Sequence, residues 1–183
     1  MAERKFRGDK LGLKLLRDGT PVEAEITFDR AFPFTMQANA YEVEPTYVLA
    51  GGLLFQPLDR NLFAAYQFKN PRIDYFFDNY ITKELYKEHP EVIVLSAILP
   101  DPINTYLAEF KDGIVEQIND RKIRTLKDVA ESFAQKSDFY VVKFVGTGRP
   151  LVLERAAVEA ARERINRRYN VLAEQNLEET PAS

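Results

Sequence analysis

Phe110-Lys111-Asp112-Gly113-Ile114-Val115-Glu116-Gln117-Ile118-Asn119-Asp120-Arg121-Lys122-Ile123-Arg124-Thr125-Leu126-Lys127-Asp128-Val129 carries the strongest structural signal in the chain. Gly113 to Ile118 is short and rich in β-branched side chains, so it reads as a strand. Asn119-Asp120 reads as a turn and Lys122-Ile123 as a short strand. Thr125 offers its hydroxyl as the cap of a helix from Leu126 to about Gln135.

Upstream, Val92 to Leu99 reads as a buried strand stopped by Pro100 and Pro102, and Ile103 to Phe110 as a short helix. Tyr47 to Leu58 is apolar, β-prone and broken by Gly51 and Gly52, giving strand, glycine loop, strand. Between these lies an aromatic insert, residues 59–91. In its Arg72 to Lys87 stretch, Ile73, Phe76, Phe77, Tyr80, Ile81 and Leu85 recur at helical spacing. Downstream, Phe139 to Val145 and Leu151 to Leu153 read as strands joined at Gly146-Thr147-Gly148. A long helix is expected from about Arg155 to Glu174, within a C-terminal segment 154–176 and ahead of a frayed tail, 177–183. At the other end, Lys10 to Leu16 and Val22 to Phe28 alternate around Arg17-Asp18-Gly19-Thr20, a β-hairpin within residues 1–30. Such a hairpin is marginal alone and needs a packing partner. Residues 31–46 read as a linker and 47–153 as the main domain.

Composition narrows the function classes. With 45% apolar and 29% charged residues the chain reads as globular. A formal charge of −3 gives no global attraction to nucleic acid or anionic lipid. There is no cysteine and a single histidine, His89, and no calcium-loop spacing occurs, so neither metal nor cofactor is expected. Asp74 and Asp78 share a helix face as solvated carboxylates. Residues 1–10 lack the apolar stretch of a signal peptide, and no run approaches the ~18 apolar residues of a membrane span. These observations leave the compartment unknown. Ser96, Ser132, Ser137 and Ser183 all lie outside Gly-x-Ser-Gly-Gly or Gly-x-Ser-x-Gly settings, and His89 precedes a proline at a helix end, so no Ser-His-Asp triad is expected in this chain.

Three stretches together resemble a PDZ domain. Gly52-Leu53-Leu54-Phe55 is similar to the carboxylate loop of PDZ domains. Val94 to Pro102 is similar to the strand leading into their short helix. Phe110 to Val129 is similar to their Gly-Asp-x-Ile-x-x-(Ile/Val)-Asn-Gly core and groove helix. Pro45 to Leu58 and Asp101-Pro102-Ile103-Asn104 are similar to the second PDZ domain of plant-type Deg/HtrA trypsin-like serine proteases and their bacterial relatives. The resemblance covers about Gly8 to Val171, with the opening hairpin resembling the end of a preceding PDZ domain. Three positions depart from the pattern: Leu54 replaces the second glycine, Asp112-Gly113 inverts Gly-Asp, and Asp120 replaces the turn glycine.

The resemblance implies an α+β fold: a partly open antiparallel β-barrel or sandwich with flanking helices, an aromatic helical insert and a long C-terminal helix. It implies a non-catalytic regulatory or assembly region of a serine endopeptidase, or else a stand-alone protein-interaction scaffold. Partners would be peptide or protein C-termini, the protease domain or other protomers, with a homo-oligomer expected for the full-length protein and no nucleic acid or membrane contact. Gly51, Gly52, Leu53, Leu54 and Phe55 would form the carboxylate loop, with Leu126, Val129, Ala130 and Phe133 as the groove helix. The alternative is a glycine bend beside ordinary core residues. Phe63, Tyr66, Phe68, Tyr75, Phe76, Phe77, Tyr80 and Tyr86 form either a second small core or an interface. Arg162, Arg164, Arg167 and Arg168, interleaved with glutamates, read as a solvated helix face, with nucleic-acid binding the minor alternative.

Overall fold

The structure, a computed structural model, describes residues 8–27, 36–38, 41 and 43–178. Half of the expected linker and residues 179–183 of the expected tail lie outside the described residues. Two compact units separate, residues 1–33 and 34–183.

In the first unit β1 (Lys10–Arg17) pairs antiparallel with β2 (Thr20–Thr27), from Lys10↔Thr27 to Arg17↔Thr20. Asp18 and Gly19 turn the chain with φ of 52° and 78°, both left-handed, as a type I′ turn requires. The register sets Leu11, Leu13 and Leu15 opposite Ile26, Ala24 and Val22. One face of the hairpin is therefore apolar from Leu11↔Ile26 to Leu15↔Val22, up to the Arg17↔Thr20 pair at the turn.

Among the described residues of the second unit, two four-stranded antiparallel sheets enclose one core. The first contains β3 (Tyr47–Ala50), β4 (Leu53–Pro57) and β5 (Ile93–Ile98), with β10 (Gln175–Asn176) on the outer side of β3. Its order is β10-β3-β4-β5. The second contains β6 (Val115–Ile118), β7 (Arg121–Lys122), β8 (Phe139–Phe144) and β9 (Leu151–Glu154), in the order β7-β6-β8-β9. The sheets are not closed into a barrel. They meet where Val94 bridges Ile114 and Leu95 N–H donates to Gly113 O at 2.9 Å.

Alternation dictates which side chains enter the core. Tyr140, Val142 and Phe144 of β8 are buried while Phe139 and Lys143 are exposed; in β9, Leu151 and Leu153 are buried and Val152 and Glu154 are not. Helix α3 (Leu126–Ala134) begins at Thr125 with a reciprocal capping box to Asp128. It lays Leu126 and Val129 into the core.

The insert builds a second core. Ile73, Phe76 and Tyr80 pack with Met36, Leu58, Val92, Val94 and Ile114, and Phe63, Phe68, Phe77 and Tyr86 cover them. Phe63 and Phe77 stack with centroids 4.1 Å apart. Tyr75 is 44% exposed. Helix α1 (Arg60–Ala65), capped by Asp59, has no counterpart in the sequence reading.

Two helices are shorter than their periodicity suggests. The expected helix over 72–87 is α2 (Pro71–Asn79), followed by turns and a 3-10 segment at Leu85–Lys87. Asn79 folds its own amide back onto Tyr75 O (2.9 Å), a local bond that competes with the helix, and Glu84 is left-handed at φ 55°. The expected helix to Glu174, within segment 154–176, is α4 (Arg155–Tyr169). Asn170 ends it in the left-handed conformation, and Val171 N–H closes on Asn166 O at 2.9 Å. Residues 175–176 are strand, not helix.

Candidate functional site

A cleft of about 650 Å³ opens beside β3. Val48 to Gly52 line one side, Ala130, Phe133 and Ala134 of α3 a second, and Val158, Arg162, Ile165 and Asn166 of α4 a third. Residues 172–175 form its rim. The Phe133 ring is held by Phe55 at 5.5 Å and Tyr140 at 4.8 Å, centroid to centroid, and Tyr140 Oη donates to Phe133 O at 3.0 Å.

The structure divides the residues singled out from sequence. Gly51, Gly52, Ala130 and Phe133 come together on the cleft. Leu53, Phe55, Leu126 and Val129 lie in the core, and Leu54 is half-buried. Gly51 and Gly52, at φ 58° and 81°, are the two central residues of a tight hairpin in which Ala50 pairs with Leu53. Strand β4 has β3 on one side and β5 on the other. A strand that took the place of β10 on this side of the sheet would therefore meet β3 and not the strand that follows the glycines.

The glycine hairpin is clamped from below. Asn104 Nδ2 donates to Gly51 O and Leu99 O, both at 2.9 Å, and Asn104 Oδ1 accepts Asp101 N–H at 2.9 Å. Asp101 in turn accepts two bonds from Arg164, at 2.8 and 2.7 Å. Helix α4 thus fixes the loop that fixes the hairpin, and the arginine-bearing face is more than a solvated surface. The Arg164 bonds hold the Asp101 carboxyl below the usual carboxylate range against the opposing effect of burial, with Ile103 N–H adding to them.

The pair is asymmetric: the Asp101 side chain is 1% exposed and that of Arg164 53%. Arg164→Ala leaves a buried carboxylate without its cation, so it should lower the melting temperature more than Arg167→Ala on the same helix. A depressed carboxylate value contributes stability above the unfolded value and loses it as pH falls through the folded one. The wild-type advantage over Arg164→Ala should be full above about pH 4 and close on further acidification. Melting curves from pH 7 to pH 2.5 check this.

On the other flank, Glu174 accepts from Arg162 Nε at 2.7 Å, from Arg162 Nη2, and from Asn166 Nδ2 at 2.7 Å. Burial pushes the Glu174 carboxyl up, but the bonds from Arg162 and Asn166 outweigh it and the net shift is downward. Glu174 O accepts Leu49 N–H at 2.7 Å. The sequence reading missed Arg162, Asn166 and Glu174 as partners; Asn170, a residue that tolerates the left-handed conformation, was the signal that α4 stops in time to return its tail to β3.

The serines in the described residues hold local structure. Ser96 Oγ donates to Gln56 Oε1 at 2.6 Å, Ser132 Oγ to Asp128 O at 2.7 Å and Ser137 Oγ to Phe139 O at 2.8 Å. His89 packs edge-on against Phe76, and burial, then Lys122, pulls its pKa down.

Open antiparallel sheets around a shared core, with a capped helix beside a cleft at a sheet edge, place the chain in the PDZ class of α+β folds. It belongs to the PDZ domain family, whose model matches residues 36–176, β10 included. Three Arabidopsis thaliana proteins are similar, each named "Putative protease Do-like": number 12, mitochondrial, 30% identical over 65% of this chain; number 3, mitochondrial, 29% over 63%; and number 13, 23% over 90%. The resemblance to Deg/HtrA-type proteases read from the motifs is thus matched by curated relatives. The chain spans 20%, 19% and 29% of their respective lengths.

Proposed function

We propose that this chain is the non-catalytic regulatory or assembly region of a Deg/HtrA-like serine endopeptidase, and that the cleft beside β3 takes an extended peptide segment or protein C-terminus. The observation that carries the reading is a cleft between two helices beside β3, whose outer side is covered by the two-residue β10, with Phe133, Ala130 and Val158 as apolar walls. Strand addition supplies main-chain bonds at such an edge, and wall pockets supply selectivity. The apolar face of the β1–β2 hairpin supports membership of a larger sheet: Leu15, Val22 and Ile26 are 47%, 41% and 47% exposed. The exposed Tyr75 ring gives the aromatic insert a point of contact for a protease domain or another protomer.

Titration of the full chain with a library of free C-terminal peptides tests the reading. Saturable binding that Ala130→Glu abolishes is expected; no saturable binding by the wild-type chain or by the tail variants described below would sink it. The chain alone should not degrade unfolded casein. Cleavage that a serine-protease inhibitor stops would assign it the chemistry itself.

A further inference from the structure

The outer edge of β3 already carries a strand, and that strand is the chain's own. Gln175 pairs with Val48 and Asn176 with Tyr47, antiparallel. Tyr47 Oη donates to Ala173 O at 2.9 Å, and Asn176 Nδ2 to Pro45 O at 3.1 Å. The tail thus follows β3 as an added peptide would, although Gln175-to-Asn176 runs away from the Gly51-Gly52 hairpin. Its carboxylate, Glu174, sits on Arg162 and Asn166, one turn apart on α4, where the guanidinium contacts both carboxylate oxygens. Yet the tail sends no large apolar side chain into the cleft: Leu172 is 93% exposed and Ala173 is exposed too.

We infer that Arg162 and Asn166 form the carboxylate-recognition point of this cleft, and that residues 171–178 occupy it as an exchangeable built-in ligand that an incoming strand must displace. The inference rests on the peptide-binding reading above and names both its ligand chemistry and its control. The competing ligand is an extended peptide bearing a carboxylate, terminal or from Glu or Asp, and an apolar side chain for the space between Phe133 and Val158. Recognition of the carboxylate moves from the glycine hairpin to α4, because the turn geometry of Gly51 and Gly52 serves the hairpin.

Three features make the tail displaceable. Its paired strand is two residues long. The Arg162 side chain is 64% exposed, so its ion pair is solvent-weakened. The apolar walls gain nothing from the tail, so a ligand that fills them binds with an advantage the tail lacks. Tethering compensates, since a segment joined to its site competes at high effective concentration.

The test uses the full chain, its Glu174→Arg and Glu174→Gln variants, and a fluorescent octapeptide with the sequence of residues 171–178. Releasing the tail should speed hydrogen exchange of the Leu49 amide and tighten octapeptide binding at least tenfold in Glu174→Arg, with a smaller gain in Glu174→Gln. Adding Arg162→Glu should remove the gain. An octapeptide carrying Gln in place of its Glu174 should bind at least fivefold more weakly. Circular dichroism melts verify that each variant is folded, and Glu174→Gln, the milder change, decides the matter if Glu174→Arg is not. Equal octapeptide affinity for wild type and the folded variants overturns the built-in ligand while leaving peptide binding standing. Faster Leu49 exchange with no octapeptide or library peptide bound by any form overturns both.

Discussion

Gly52→Ala is expected to destabilise the second unit by roughly 2–5 kcal/mol, combining the left-handed backbone penalty with overpacking. The residue sits at φ 81°, and a Cβ there would lie 2.5 Å from Asn104 Nδ2 and 2.7 Å from Leu99 O. Neither atom can retreat cheaply. Leu99 O is backbone, and the buried Asn104 amide already donates to Gly51 O and Leu99 O. Gly51→Ala should cost less, about 1–3 kcal/mol, because its nearest obstacles are side-chain methyls: Val158 Cγ2 at 3.0 Å and Leu153 Cδ1 at 3.2 Å. Urea unfolding of both variants measures the difference. A glycine kept only for ligand contact would give an unchanged unfolding midpoint and weaker peptide binding. That result for Gly52→Ala would remove the structural account of the hairpin.

Phe55→Ala should cost about 3–5 kcal/mol, the range for emptying a buried aromatic site. Phe55 is 0% exposed in β4, between β3 and β5, and its ring supports Phe133. Small-domain stability is commonly about 5–15 kcal/mol, so this single change can bring the unit close to unfolding. Phe55→Leu keeps most of the volume and should lose less than half as much. A thermal melt in which Phe55→Ala and Phe55→Leu coincide would contradict the packing described. Because Phe133 leans on Phe55, the alanine variant should also weaken peptide binding at temperatures where it remains folded.

Strand positions were legible where a local pattern and the tertiary environment agree. Val115 to Ile118, Phe139 to Phe144 and the Thr125 cap each announce themselves within a few residues. The glycine pair was legible as a bend, but the sheet order was not. Nothing local in Tyr47 to Leu58 says that β4 lies between two strands, because that depends on where β5 and the tail arrive. Helix ends were harder to read than helix existence. Hydrophobic spacing runs past Asn79 and past Tyr169, whereas the backbone stops at an amide that folds back on Tyr75 and at a left-handed Asn170. The salt links of Arg162 and Arg164 were hidden because their acceptors, Glu174 and Asp101, are brought near by the fold alone. A cluster of arginines reads as solvent-facing until the partner carboxylates are placed.

The strand from residues 175–176 also sets a timetable. Tyr47 leaves the ribosome long before its partner Ala173, 126 residues later. At about 5–20 residues per second, that interval is roughly 6–25 s. Throughout it the nascent β3 edge lacks its outermost neighbour, and unpaired edges invite association with other chains. Translation speed between Tyr47 and Ala173 therefore bears on yield: pauses there prolong the vulnerable interval, and holdase chaperones have their greatest opportunity then.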